Sequence, residues 1–200
     1  MEQGRDLFEN QEIPVNAAEI DYILLTHAHI DHTGLLPMLY ANGFRGQVFA
    51  TKATAELSAI MLRDSAHIQM FEAEWRNRKA KRSNGTLKEF IPLYDAKAVY
   101  EVMKQFVGVK YDEIINIDDN VSVRFKDVGH LLGSASIEVW AKEKNKESEV
   151  SKKIVFSGDI GNINKPITKD PAMVDTADYV VMESTYGNRS HNGTPDYVKE

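Results

Sequence analysis

The densest chemistry in this chain lies between Thr26 and Gly34, where His27, His29 and His32 surround Asp31 within six positions. Neutral imidazole nitrogens and carboxylate oxygens are ligands for borderline divalent metals, and a loop leaving a strand can aim alternate side chains at one point. Residues 20–25 ahead of the cluster read as a buried strand, and residues 34–40 behind it read as the opening of a helix. The histidines therefore belong to a strand-to-helix loop, and their number and spacing predict a metal site, with enough donors for two ions. Three more candidates stand at the ends of strand-like runs. His130 lies between Gly129 and Gly133, which let the backbone turn sharply and leave room beside the ring; a purely structural histidine is the alternative. Asp159 follows Ser157 and Gly158, where it suits either a turn or the shared anion that two neighbouring cations need. Glu183 ends an apolar run and is a candidate ligand, an orienter of ligands or a proton-relay partner. His67 reads as packing or surface, and His191, in a polar loop, is not counted among the donors.

The composition bounds what can use these residues. Two hundred residues with 42% hydrophobic content make one sizeable core, hence one domain or a large part of one. With no cysteine, disulfides and thiolate metal sites are excluded, so any metal must be held by His, Asp and Glu; the absence also fits a reducing cytoplasm, the expected location. No run approaches the roughly 18–20 apolar residues of a membrane span, and residues 1–6 do not open a signal peptide. The formal charge of −6 makes the chain as a whole no basic nucleic-acid binder, so a local patch would have to serve. One exists at residues 76–82, where five of seven side chains are basic. It reads either as a solvated helix end, with Glu72–Arg76 and Glu74–Arg78 as ion pairs, or as a contact for RNA phosphates.

The elements that must carry the candidates follow from periodicity. Residues 47–50 read as a short strand, and Thr51 suits the N-cap of a long helix that ends near residues 83–85. Along that helix Leu57, Ile60, Met61, Ile68, Phe71 and Trp75 recur at helical spacing and predict one buried face. A second helix is expected over residues 95–106. Residues 121–125 and 135–140 alternate as strands, residues 142–153 read as an exposed hairpin loop, and residues 153–156 and 177–182 read as buried strands. Strands mixed with helices in this order predict a layered α/β architecture.

Taken together, the motifs resemble the metallo-β-lactamase superfamily, and within it the branch of nucleic-acid nucleases that carries an inserted β-CASP domain. His-x-His-x-Asp-His at 27–32, Gly-His-x-x-Gly-Ser at 129–134, Ser-Gly-Asp at 157–159 and Glu-Ser-Thr-Tyr-Gly at 183–187 fall in the order of that branch. The resemblance implies a four-layer αββα sandwich, incomplete here, with residues 1–190 a partial metallo-β-lactamase domain and residues 191–200 the start of the insert. It implies two zinc ions: His27, His29 and His130 on the first, Asp31 and His32 on the second, Asp159 bridging, and Asp31 and Glu183 as catalytic residues. It further implies an RNA substrate attacked by a hydroxide held between the metals. The family's earlier strands and a later histidine have no counterpart in this sequence. One zinc is therefore expected to be held well and the second poorly, the strand at 20–25 to leave an apolar edge open to association such as a homodimer, and the isolated chain to have little nuclease activity. The competing functions are another hydrolase of the superfamily, acting on thioesters, lactams or lactones, and a catalytically inert RNA-processing partner.

Overall fold

The computed structural model describes residues 13–82, 89–145, 148–185 and 187–188. After a short 3-10 turn at Ala17–Glu19, β1 (Tyr22–Leu24) leads into the one-turn α1 (Ile30–Thr33) and α2 (Leu36–Ala41). Then come β2 (Gln47–Thr51), the long α3 (Lys52–Arg82), α4 (Ala96–Met103) and β3 (Phe106–Val109). β4 (Ile114–Asn116), β5 (Val121–Asp127), β6 (Ala135–Asn145), β7 (Ser148–Phe156) and β8 (Tyr179–Val181) complete the order. The first sheet is parallel, β1-β2-β3, with β1 at its edge; the second runs β4-β5-β6-β7-β8, antiparallel except for the last pair.

Alternation along the strands decides how the layers stack. In β2, Val48 and Ala50 pack with Leu36, Phe44 and Val102 beneath the helices, while Phe49 faces the other way. There it joins Val109, Val123, Phe125, Ile137 and Val139 in the core between the two sheets. A third cluster, Leu62, Ala66, Tyr94 and Val99, locks α3 onto α4. Helices, first sheet and second sheet thus form three of the four expected layers among the described residues. Thr51 caps α3 as anticipated, its hydroxyl accepting from the Thr54 N–H at 3.2 Å.

Four element-level expectations need correction. The buried face of α3 is made by Thr54, Ser58, Leu62, Ala66 and Ala73, mostly small side chains with Leu62 as the one large apolar residue. Ile60, Ile68, Phe71 and Trp75 are instead exposed. The second helix is shorter than expected: Asp95 is its cap, accepting from the Ala98 N–H at 2.8 Å, and Phe106 already belongs to β3. Much of the polar stretch at 142–153 is strand, since β6 and β7 remain paired out to Asn145 and Ser148; backbone hydrogen bonds suffice to hold a ribbon whose faces need no core. Finally β8 lies at a sheet edge with Tyr179, Val180 and Val181 all exposed, so its apolar run does not mark a buried strand.

Among the described residues, the outer face of the second sheet carries one buried charge. Glu138 is 1% exposed, opposite Arg124 on β5, and Lys153 Nζ reaches its Oε1 at 2.6 Å. Both cations also lie 5.4 Å from the Trp140 ring centroid. Burial by itself opposes ionisation of Glu138, but hydrogen bonds and charge from Arg124 and Lys153 outweigh it and hold the carboxyl below its ordinary value. A folded-state pKa below the unfolded one stabilises the fold above the unfolded value, and that stability disappears as pH falls through the folded value. Urea melts taken from neutral to acid pH should therefore show a decline that Glu138→Gln reduces; an identical decline in both proteins would contradict this role.

Candidate metal centre

Three loops meet at one end of the sandwich. The first leaves β1 and presents His27 and His29 before α1 begins; Asp31 and His32 sit on that helical turn, not in an irregular loop. The Thr33 hydroxyl secures the turn by donating to the carbonyls of Ala28 and His29 at 3.3 and 3.0 Å. The second loop joins β5 to β6 and presents His130. Its shape comes from Ser134, whose Oγ accepts the backbone N–H groups of both His130 and Leu131, at 3.1 and 3.2 Å. The hydroxyls of Thr51 and Thr54, at the start of α3, donate to Gly133 O at 2.6 and 2.8 Å and tie the same loop to the helical layer. The third loop follows β7 and presents Asp159.

Backbone approach between the second and third loops is very tight. The Gly161 N–H donates to Val128 O at 2.8 Å, and a Cβ on Gly161 would lie 2.2 Å from the Gly129 carbonyl and 2.6 Å from His130 N. Gly129 itself has φ +63°, the left-handed region that glycine enters without strain. The two glycines bring His130 and Asp159 within reach of each other.

The donors converge. His27 Nε2 lies 3.1 Å from His29 Nδ1, which lies 3.2 Å from His130 Nε2. Asp159 Oδ2 stands 3.6 Å from His27 Nε2 and 3.7 Å from His130 Nε2. These four ligand atoms lie within 4.8 Å of one another, a span that one cation would fill. The other oxygen of the same carboxylate, Asp159 Oδ1, is 3.4 Å from His32 Nε2, which in turn is 3.8 Å from Asp31 Oδ2. One carboxylate therefore faces two donor groups with different oxygens. The first group is the more enclosed: His27 is 1% exposed, whereas the Asp31 side chain is 75% exposed.

Burial, followed by the fields of His32, His29 and His130, pushes the His27 pKa down to about 3, so its ring is neutral at working pH. Burial also lowers His130, against the opposing pull of Asp159. Neutral rings with free lone pairs match the requirement of a metal ligand. The Thr26 Oγ1 sits 3.2 Å from His27 Nδ1 and so fixes which nitrogen faces the other donors.

All six expected metal donors are thus gathered, four as a tight set and Asp31 and His32 beside it. Glu183 is placed differently: it accepts the Ile160 N–H at 2.9 Å, bracing the residue after Asp159, and its own N–H donates to Ser157 Oγ at 3.2 Å. His67 is exposed on α3, and His191 lies outside the described residues. Sequence reasoning missed Thr26 and Ser134 as supports, although each adjoins or closes a histidine motif.

With fold and site in view, the chain belongs to the metallo-β-lactamase superfamily, whose domain profile matches residues 5–162. Its relatives include proteins named as a ribonuclease, a transcription termination factor and an RNase J-like protein. Ribonuclease TTHA0252 of Thermus thermophilus is 32% identical over the whole of this chain and 40% of its own length. Transcription termination factor FttA of Methanosarcina mazei is 29% identical over 91% of this chain and 25% of its own. An RNase J-like protein of Methanocaldococcus jannaschii is 28% identical over 88% of the chain and 34% of its own. The chain therefore spans two fifths or less of these relatives. Among solved structures it is similar to MEM-A1, a subclass B3 metallo-β-lactamase from a soil metagenome, at 21% identity and a TM-score of 0.40, over 72% of this chain and 43% of that one.

If His130 completes the tighter donor set, His130→Ala should lower zinc affinity by orders of magnitude in competition with a chromophoric chelator, while His67→Ala leaves it unchanged. Thr26→Val, which keeps the side-chain shape but removes the hydroxyl, should cost about 10–100-fold. Equal affinities for the His130 and His67 variants would exclude His130 from the set.

Proposed function

We propose that this chain is the catalytic metallo-β-lactamase portion of a zinc-dependent ribonuclease that hydrolyses RNA phosphodiester bonds. The observation that carries the reading is the convergence of His27, His29, His130 and Asp159 on one point. Support for the substrate comes from the relatives, of which the first is named a ribonuclease. The donor set suits the ion: three imidazoles and a carboxylate, with no thiolate available, are ligands that zinc accepts. His27, His29, His130 and Asp159 would hold the first zinc, and Asp31, His32 and the second Asp159 oxygen would offer fewer, more exposed donors to a weaker second ion. Bound there, such ions act as Lewis acids toward a phosphodiester and lower the pKa of an attacking water.

The chain's own residues supply the rest. Buried, neutral His27 binds metal without first losing a proton. Asp159 holds the two donor groups in register through its two oxygens, and Glu183 keeps that carboxylate aimed by bracing Ile160. Asp31 faces the open side, where a strand of RNA can approach, and its carboxylate is the proton acceptor nearest solvent in the set. Among the described residues no helix is long and apolar enough to cross a membrane.

Purified chain loaded with zinc should cleave end-labelled single-stranded RNA, however slowly, and should turn over neither nitrocefin nor a glutathione thioester. Chelation or Asp159→Asn should abolish the cleavage, since the substitution weakens both ion sites at once. Hydrolysis of the lactam or the thioester without RNA cleavage would assign the centre to another branch of the superfamily.

A further inference from the structure

The far end of α3 carries a surface that the metal centre does not use. Ile68, Phe71, Trp75, Arg78 and Arg82 follow one another at three- and four-residue intervals, and Lys79 lies four residues after Trp75, so they form one stripe along the helix. Phe71 is 60% exposed and Trp75 54%, although large aromatic side chains are ordinarily well covered. The next turn is basic. Trp75, Arg78, Lys79 and Arg82 line a shallow open depression of about 350 Å³, and Lys79 Nζ stands 5.2 Å from the Trp75 ring centroid.

Charge selects the partner. The chain carries a net −6, yet five of the seven residues at 76–82 are basic, more than is needed to complement a helix C-terminus. Arg76 is already engaged, 4.0 Å from Glu72 and stacked over Phe90. Arg78, Lys79, Lys81 and Arg82, by contrast, make no ion pair among the described residues. A purely apolar partner would gain nothing from this concentration of cations. Aromatic faces beside uncompensated cations are what single-stranded nucleic acid requires, since bases stack on the rings and phosphates meet the charges.

We propose that Phe71, Trp75, Arg78, Lys79 and Arg82 form an anchoring site for single-stranded RNA. It rests on the ribonuclease reading for the identity of the polymer. Its position gives it a distinct role. The start of α3 is bonded to the His130 loop through Thr51 and Thr54, and Trp75 stands 21 residues beyond Thr54, about 30 Å along the helix. The site therefore grips RNA well away from the reacting phosphate, adding affinity for long strands and nothing to the chemistry.

The test is fluorescence anisotropy on the zinc-loaded chain, with one RNA long enough to span this distance and one too short to do so. Trp75→Ala should weaken binding of the long RNA about tenfold or more, the effect of losing one stacking platform. The triple change Arg78→Gln, Lys79→Gln, Arg82→Gln should also weaken it and flatten the log–log salt slope by about two, three contacts at about 0.7 each. Ile60→Ala, on the same helix but distant from the patch, should bind as the unaltered chain does, and melting curves confirm that each variant is folded. Unchanged long-RNA affinity and salt slope in both patch variants would overturn the anchor. So would sedimentation showing a dimer that Trp75→Ala dissolves while RNA affinity stays the same, which would make the stripe a contact between copies. Loss of the anchor with RNA cleavage intact leaves the nuclease reading standing; patch-dependent binding without any RNA cleavage supports the anchor and removes that reading.

Discussion

Two backbone hydrogen bonds hold the centre together, and the rest of the arrangement depends on them. Ala135 N–H donates to Thr26 O at 2.8 Å, joining the loop after β1 to the start of β6, and Gly161 N–H donates to Val128 O at the same distance, joining that second loop to the one after β7. They chain three loops from two sheets into one unit. Such bonds contribute only about 1 kcal/mol each, so the packing behind them must supply the rigidity. It does: Phe125, Ile137 and Val123 are fully buried between the sheets directly behind the loops they end in. The constraint matters because gathering four polar groups in a partly buried site costs their hydration. Burial and the neighbouring imidazoles disfavour the charged form of His27, so the scaffold holds the rings together in their neutral state.

The same scaffold grades the centre from inside to outside. His27 lies at the enclosed end, braced by Thr26, and Asp31 lies at the open end on a single helical turn. Asp159 spans the gradient with one oxygen on each side. On the proposed reading, a set graded in this way would offer a first ion preorganised, desolvated donors and a second ion donors that water still reaches. Glu183 reinforces the carboxylate from behind through Ile160, which links β8, an exposed edge strand, to the chemistry at the centre.

The donors were more legible in the sequence than the elements that carry them. His27, His29, Asp31 and His32 announce themselves because ligand chemistry fixes residue type and local spacing together, and His130 and Asp159 stand out because glycines flank them at strand ends. Thr26 and Ser134 were not legible as supports, since a hydroxyl beside a histidine has no meaning until the loop's hydrogen bonds are known. Apolar periodicity misleads on α3 for a physical reason: apart from Leu62 the helix packs through Thr54, Ser58, Ala66 and Ala73, small side chains that carry little hydrophobic signal. The periodic Phe71 and Trp75 then fall on the outside. For β8 the apolar run predicts burial, but a strand's cover is decided by what packs on it, which its own residues do not encode.

The central claim is that one carboxylate joins two unequal metal sites built from three loops. Crystals of the chain soaked in zinc and measured at the zinc absorption edge test it most directly. The account predicts a strong anomalous peak bounded by His27, His29, His130 and Asp159, and a weaker one bounded by Asp31, His32 and Asp159. Peaks that leave Asp159 uncoordinated, or a single ion held by Asp31 and His32 with the buried histidines empty, would contradict it.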